Sequence, residues 1–152
     1  MSRVYVSAIL DHPVDAVWDV VGDFHGLPRW VERIQDSIVE GDSGRGAVGS
    51  IRRVVIGPER RTMGERLLSY DAQRRRYSYE VSDGPMPYRM TSYRGTVRVA
   101  PVTETAQTFL EWYGDYGCAA EDVEFVEQTM SAIFRGFIVD LRKHLASVSS
   151  PV

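Results

Sequence analysis

The sequence predicts an α+β fold: a curved, seven-stranded antiparallel β-sheet wrapped around a long C-terminal α-helix, with two short helices after the first strand. Two observations carry that expectation. Residues 121–145 place Val123, Val126, Met130, Ile133, Phe134, Phe137, Ile138, Leu141 and Leu145 at the three- and four-residue spacing that forms one stripe on a helix. The chain before them is a run of alternating segments rich in Val, Ile and Tyr, broken by Gly, Pro and Asp, which is the pattern of strands joined by turns. The helical stripe must be buried, and only the strands can bury it. A sheet curved around a helix is prone to leave a ligand-sized hollow between them.

In chain order, Arg3 to Leu10 alternates and is predicted as the first strand. A short helix follows, with Pro13 at its first position, His12 or Asp11 as cap, Asp15 favourable in the first turn, and Val14, Val17, Trp18 and Val21 on the buried face. Gly22 ends it, and Asp23 to Val31 is a loop carrying the second short helix. Further strands are expected at Ile34 to Glu40, Ala47 to Ile56, Thr62 to Tyr70, Arg76 to Ser82, Thr91 to Val99 and Gln107 to Tyr116. The spacing shows no internal repeat and no linker, so 1–147 is expected to be a single domain and 148–152 a frayed tail.

Composition excludes several classes of function. The chain has 152 residues, a net charge of −3 and a single lysine, Lys143, which argues against a nucleic-acid surface. No stretch approaches the roughly 20 apolar residues of a membrane span, and the first residues lack the plan of a signal peptide, so a soluble, cytoplasmic protein without membrane insertion is expected. Cys118 is alone and reads as an inert loop thiol. With three scattered histidines it gives no metal-ligand spacing, so neither metal nor cofactor is expected. His25 is taken as a surface residue. Neither a Ser-His-Asp order nor a Gly-rich phosphate cradle is present.

The order β-α-α-β-β-β-β-β-β-α joins a set of local motifs: Pro13, Val17 and Trp18; Asp23, Phe24, Leu27 and Trp30; Gly49 and Arg52; Glu65-Arg66-Leu67 with Tyr70-Asp71; Tyr77-Ser78-Tyr79; Tyr93-Arg94-Gly95-Thr96; and Glu111-Trp112. On these the chain resembles the START/Bet v 1-like (SRPBCC) helix-grip superfamily, and within it the bacterial polyketide cyclase/dehydrase-type members. The resemblance covers essentially the whole domain. It implies an apolar cavity between sheet and helix that takes a lipid, hormone, polyketide or other hydrophobic small molecule.

Strand alternation indicates which side chains face such a cavity. The third strand favours Val48, Ser50, Arg52, Val54 and Ile56; the fifth, Tyr77, Tyr79 and Val81; the sixth, Tyr93, Gly95, Val97 and Val99. Apolarity leaves the fourth and seventh strands open. Similarity to plant hormone receptors of the superfamily selects Met63, Glu65 and Leu67 on the fourth and Phe109, Glu111 and Tyr113 on the seventh. The catalytic candidates are therefore Glu65, Glu111, Arg52, Tyr93 and Tyr79. The ligand-contacting candidates are Trp30, Val54, Ile56, Met63, Val81, Met86, Tyr88, Phe109, Tyr113, Val126, Met130 and Phe134.

Two carboxylates in an apolar hollow would disfavour each other's charge and suit acid/base work, unless Arg52 pairs with one of them. The turns Gly57-Pro58-Glu59-Arg60 and Asp83-Gly84-Pro85-Met86-Pro87-Tyr88 match the pocket-mouth loops of the family, and Arg60-Arg61 and Arg74-Arg75-Arg76 read as solvated turns. The hormone receptors' carboxylate-binding lysine has no counterpart, with Arg52 as the available substitute. Three functions fit: a cofactor-free cyclase, dehydratase or isomerase; a carrier or sensor of a hydrophobic small molecule; or a partner-binding module with a collapsed cavity. A monomer or homodimer is expected. A large apolar residue at Gly95 is expected to fill the cavity and leave the fold intact.

Overall fold

The structure, a computed structural model, describes residues 1–41 and 46–149. Seven strands form one antiparallel sheet: β1 (Ser2–Leu10), β2 (Ile34–Glu40), β3 (Ile51–Ile56), β4 (Arg61–Asp71), β5 (Arg76–Val81), β6 (Met90–Val102) and β7 (Gln107–Cys118). Their spatial order is β1-β7-β6-β5-β4-β3-β2, so the first two strands of the chain lie at opposite edges. Helix α1 (Val14–Val21) and a 3-10 turn (Leu27–Arg29) make the crossing between those edges. Helix α2 (Val123–Ser149) packs against β1 and β7. This is the helix-grip architecture, and no helix among the described residues is long and apolar enough to cross a membrane.

The element ends differ from expectation in physically simple ways. Pro13 is the cap of α1 rather than its first residue: its backbone is extended, its carbonyl accepts the Val17 amide at 3.1 Å, and no side chain caps the helix. Val17, Val20 and Val21 are buried, whereas Val14 and Trp18 are only partly so. The start expected for α2 is a 3-10 turn, Ala120–Asp122, and the helix runs on through Ser149. Of the tail expected to fray, Val148 and Ser149 are therefore helical, and 150–152 lie outside the described residues. Val48 and Ser50 precede β3: Val48 is exposed, while Ser50 is fully buried. Cys118 closes β7 opposite Met90 instead of lying in a loop.

Bulges shape the sheet. One lies between Leu67 and Ser69 on β4, so that Met63, Glu65 and Leu67 face inward before the parity shifts and Tyr70 falls opposite Tyr77. A second lies between Met90 and Ser92, at the start of β6. The core is continuous. On α2 the buried side chains Val126, Met130, Phe134, Ile138, Leu141 and Leu145 meet Val4, Val6 and Leu10 of β1, Val97 and Val99 of β6, and Leu110 and Trp112 of β7 in one cluster.

Candidate functional site

Between the helix and the middle of the sheet lies a cavity of about 70 Å³. Its walls are mostly apolar, among them Val54, Ile56, Met63 and Val81 from the sheet and Met130, Ile133, Phe134 and Phe137 from α2. Arg52, Glu65, Tyr79 and Tyr93 are the polar groups in its interior, and Arg33 stands at its rim.

The strand register explains how these groups meet. Arg52 on β3 lies directly opposite Glu65 on β4, and both belong to the inward parity. Arg52 Nε donates to Glu65 Oε1 at 2.8 Å, and Nη1 donates to the Phe24 carbonyl at 2.8 Å. The guanidinium lies over the rings of both Phe24 (4.1 Å) and Tyr79 (4.8 Å). Arg52 is 1% exposed and Glu65 7%. Burial alone would lower the Arg52 pKa; the Glu65 carboxylate overrides it and holds the guanidinium above its ordinary value. The ion pair is therefore a buried, mutually dependent unit, in which removing either charge strands the other.

The second polar unit is a chain of ring hydroxyls. Trp112 Nε1 donates to the Tyr79 hydroxyl at 3.1 Å, and that hydroxyl lies 3.1 Å from the Tyr93 hydroxyl. Trp112 brings its own proton, so the two tyrosines have two O–H protons for one mutual bond, and one proton is left for a ligand oxygen. Burial pushes the Tyr79 phenol up, with the Glu65 charge adding to it; burial and then Tyr79 push Tyr93 well above its ordinary value. Both stay neutral through the physiological range and act as hydrogen-bond donors, not as bases.

The structure brings Arg52, Glu65, Tyr79, Tyr93, Val54, Ile56, Met63, Val81, Tyr88, Met130 and Phe134 to the cavity. It does not bring Glu111, Phe109 or Tyr113 there. On β7 the inward parity is Leu110, Trp112 and Gly114, and the three candidates lie on the opposite face of the sheet. There Glu111 accepts from Tyr5 Oη at 2.5 Å and from Arg98 Nη1 at 3.1 Å. Tyr113 stacks on Tyr5, carries the Arg3 guanidinium over its ring, and accepts from Arg76 Nη2. Phe109 is paired with Ile9 in the same layer and is half-buried. Among the described residues Glu65 is thus the only carboxylate lining the cavity, and it faces a cation rather than a second acid.

Three more candidates are core but not lining. Trp30 packs behind Trp112 and Phe137, at 6.2 and 6.3 Å between ring centroids. Val126 is fully buried, and Met86 packs against the core from the β5–β6 loop. His25, expected at the surface, is 4% exposed, and its Nε2 lies 2.8 Å from Ser50 Oγ. With the Arg52–Phe24 bond, it pins the loop after α1 onto the lead-in to β3. Conversely, sequence reasoning missed Trp112, Arg33, Ile34 and Met90 as lining. The β6–β7 register held the signal for Trp112. A four-residue turn at 103–106 closes the hairpin with Val102 opposite Gln107, so inward Val97 must face Trp112 and outward Arg98 must face Glu111.

A curved antiparallel sheet closed on a long helix, with an apolar cavity holding a few polar groups, defines a helix-grip protein. The chain belongs to the polyketide cyclase / dehydrase and lipid transport family, whose pattern it matches over residues 1–146. It is 26% identical over 129 residues to MLP-like protein 423 of Arabidopsis thaliana, covering 80% of this chain and 79% of that one. Among solved structures it is similar to a structural-genomics protein from Nitrosospira multiformis, with 29% identity, a TM-score of 0.80, and 97% and 99% of the two chains covered. It is also similar in fold to the di-domain ARO/CYC BexL of the BE-7585A biosynthetic pathway, at 18% identity and a TM-score of 0.82, over 99% of this chain and 48% of that one.

Proposed function

We propose that this protein takes a hydrophobic small molecule into the cavity between sheet and helix. The observation that carries this reading is the lining itself: apolar walls from β3, β4, β5 and α2 around a sparse polar set, the composition that gives affinity through burial and orientation through a few hydrogen bonds. Membership of the polyketide cyclase / dehydrase and lipid transport family supports the same reading.

At about 70 Å³ the cavity is smaller than the roughly 300–1,000 Å³ of ordinary ligand pockets. Uptake therefore involves outward movement of side chains at the mouth. A small cavity also belongs to the partner-binding alternative, but that reading needs a large exposed apolar patch. Among the described residues the exposed large apolar side chains are instead divided among elements: Met1 at the start of the chain, Tyr5 and Ile9 on β1, Ile38 on β2, Val48 before β3, Tyr70 on β4, and Phe125, Val139 and Val148 on α2.

A second, catalytic reading rests on Glu65. It lines the cavity beside the Tyr79–Tyr93 pair, so a bound ligand's acidic carbon and carbonyl oxygen would meet a carboxylate and a hydroxyl donor together, as cofactor-free cyclisation, dehydration or isomerisation requires. Native mass spectrometry of gently purified protein, with identification of what is extracted, tests the binding reading. A hydrophobic metabolite at near one-to-one occupancy is expected, and a protein that is empty and also refuses polyketide-like, lipid and terpenoid probes contradicts it. Once a ligand is identified, Glu65→Gln separates the two readings: lost turnover with retained binding marks a base, and no turnover in the wild type marks a carrier.

A further inference from the structure

We infer that the ligand is an amphipathic monocarboxylate that enters apolar end first and leaves its carboxylate at the rim on Arg33; this rests on the binding reading above. Among the described residues, three charged ones line the cavity: Arg33, Arg52 and Glu65. Arg52 and Glu65 neutralise each other in its interior, with the guanidinium further committed to the Phe24 carbonyl. Arg33 is exposed, and its guanidinium makes no hydrogen bond or ion pair among the described residues. Among the described residues the cavity thus presents one uncommitted positive charge, placed where water still reaches it.

The backbone around Arg33 is fixed. Its carbonyl accepts the Gly57 amide at 3.0 Å, tying it to the β3–β4 turn, and Ile34 begins β2 and lines the cavity. Neighbouring acids are engaged elsewhere: the Glu32 carboxylate lies 3.8 Å from Lys143, and Glu59 3.8 Å from Arg61. Arg60 on the same turn bonds only a neutral group, the Gln35 amide oxygen at 3.0 Å. This side of the mouth therefore carries surplus positive charge.

Orientation follows from desolvation. A carboxylate carried past the rim would lose its water and find the interior cation already paired, a desolvation cost with nothing to offset it. Left at the rim it keeps part of its hydration and gains a charge-assisted bond to Arg33. The apolar body fills the interior, and an oxygen further along it can accept the spare hydroxyl proton of the Tyr79–Tyr93 pair.

The test compares acids with size-matched neutral amides at neutral pH: 4-phenylbutyrate against 4-phenylbutanamide, and octanoate against octanamide, titrated into wild type and Arg33→Gln by calorimetry. Arg33 is exposed, so the substitution leaves the core untouched. In the wild type each acid is expected to bind about three- to tenfold more tightly than its amide, the range of one partly solvated charge-assisted contact. High salt should shrink that ratio, and Arg33→Gln should erase it without weakening amide binding. Acids and amides binding alike, or a ratio that survives Arg33→Gln, overturns the assignment to Arg33 while the cavity reading stands. Failure of all four probes to bind overturns both.

Discussion

Gly95 sits on β6 opposite Gly114, and the Tyr79 ring lies across it so closely that a Cβ at this position would collide with the ring's Cζ and hydroxyl. The absence of a side chain there is what lets Tyr79 reach both Trp112 and Tyr93. This corrects the sequence expectation that a large apolar residue at Gly95 would fill the cavity and spare the fold, since the space is already occupied by a phenol. Gly95→Ala is expected to destabilise the protein by about 1–3 kcal/mol in denaturant unfolding, the usual cost of overpacking, and to shift the Trp112 indole N–H resonance as its acceptor moves. A stability change within about 0.5 kcal/mol and an unmoved resonance would mean that Tyr79 does not lie over Gly95. Residue type indicated that tyrosines would line the wall. It gave no hint that Tyr79 would turn along the sheet to cover a glycine, because that choice belongs to side-chain packing and not to strand parity.

Among the elements, the loop from Ser82 to Arg89 between β5 and β6 forms one side of the cavity mouth, where Pro87 and Tyr88 line the opening. It is fastened at both ends. Arg53 Nη2 meets Asp83 Oδ2 at 2.7 Å while its Nε holds Glu40, and Arg89 lies over the Phe125 ring and 3.5 Å from Asp122. Tyr88 and Arg89 both have positive φ, a conformation that costs about 1–2 kcal/mol per residue, so the loop keeps this shape only while its ends are held.

The hydrogen bonds from Arg53 hold the Asp83 and Glu40 carboxyls below their ordinary range. Carboxyls depressed in the folded state contribute anchoring that is present above their ordinary pKa and lost as pH falls through the depressed values. Amide-exchange protection at the two ends of the loop, where Ser82 donates to the Gly64 carbonyl and Met90 to the Pro87 carbonyl, is therefore expected to be full at neutral pH and to fall in acid. In Arg53→Gln it should already be low at neutral pH, with no acid step. Equal protection in the two proteins across the whole range would show that Arg53 does not anchor the loop.

Elements were the most legible level of the sequence. Ile34–Glu40 appears with the ends the alternation predicts, and the other strands differ at one or both ends, by one to four residues, because a strand's hydrophobic period is printed in its side chains. The β7 face was not legible from its own composition, since each parity carries two large hydrophobic or aromatic side chains, Phe109 and Tyr113 on one and Leu110 and Trp112 on the other. Its face is set by β6 across a four-residue turn, and similarity to a distant relative was a poorer guide than that register. The burial of His25 was illegible for a related reason. It depends on Ser50, 25 residues away, being brought beneath the loop by the path into β3.

For the whole molecule, the sheet order and the grip on α2 follow from one stripe that needed cover and seven strands able to provide it. The volume of the hollow does not follow from that logic, because Tyr79, Phe134, Phe137 and Met130 can stand in one another's space or leave it open to a ligand. Ligand uptake by this hollow can be read from the methionines. Met63, Met90 and Met130 line the cavity, Met86 packs on the core from the mouth loop, and Met1 is 92% exposed. Methyl-labelled methionine therefore gives a five-signal spectrum with its own internal control. Titration with 4-phenylbutyrate or octanoate should move Met63, Met90 and Met130 together, saturably, and leave Met1 in place. Signals from those three that stay fixed at saturating probe, or shifts confined to Met1, would contradict a ligand-accepting cavity.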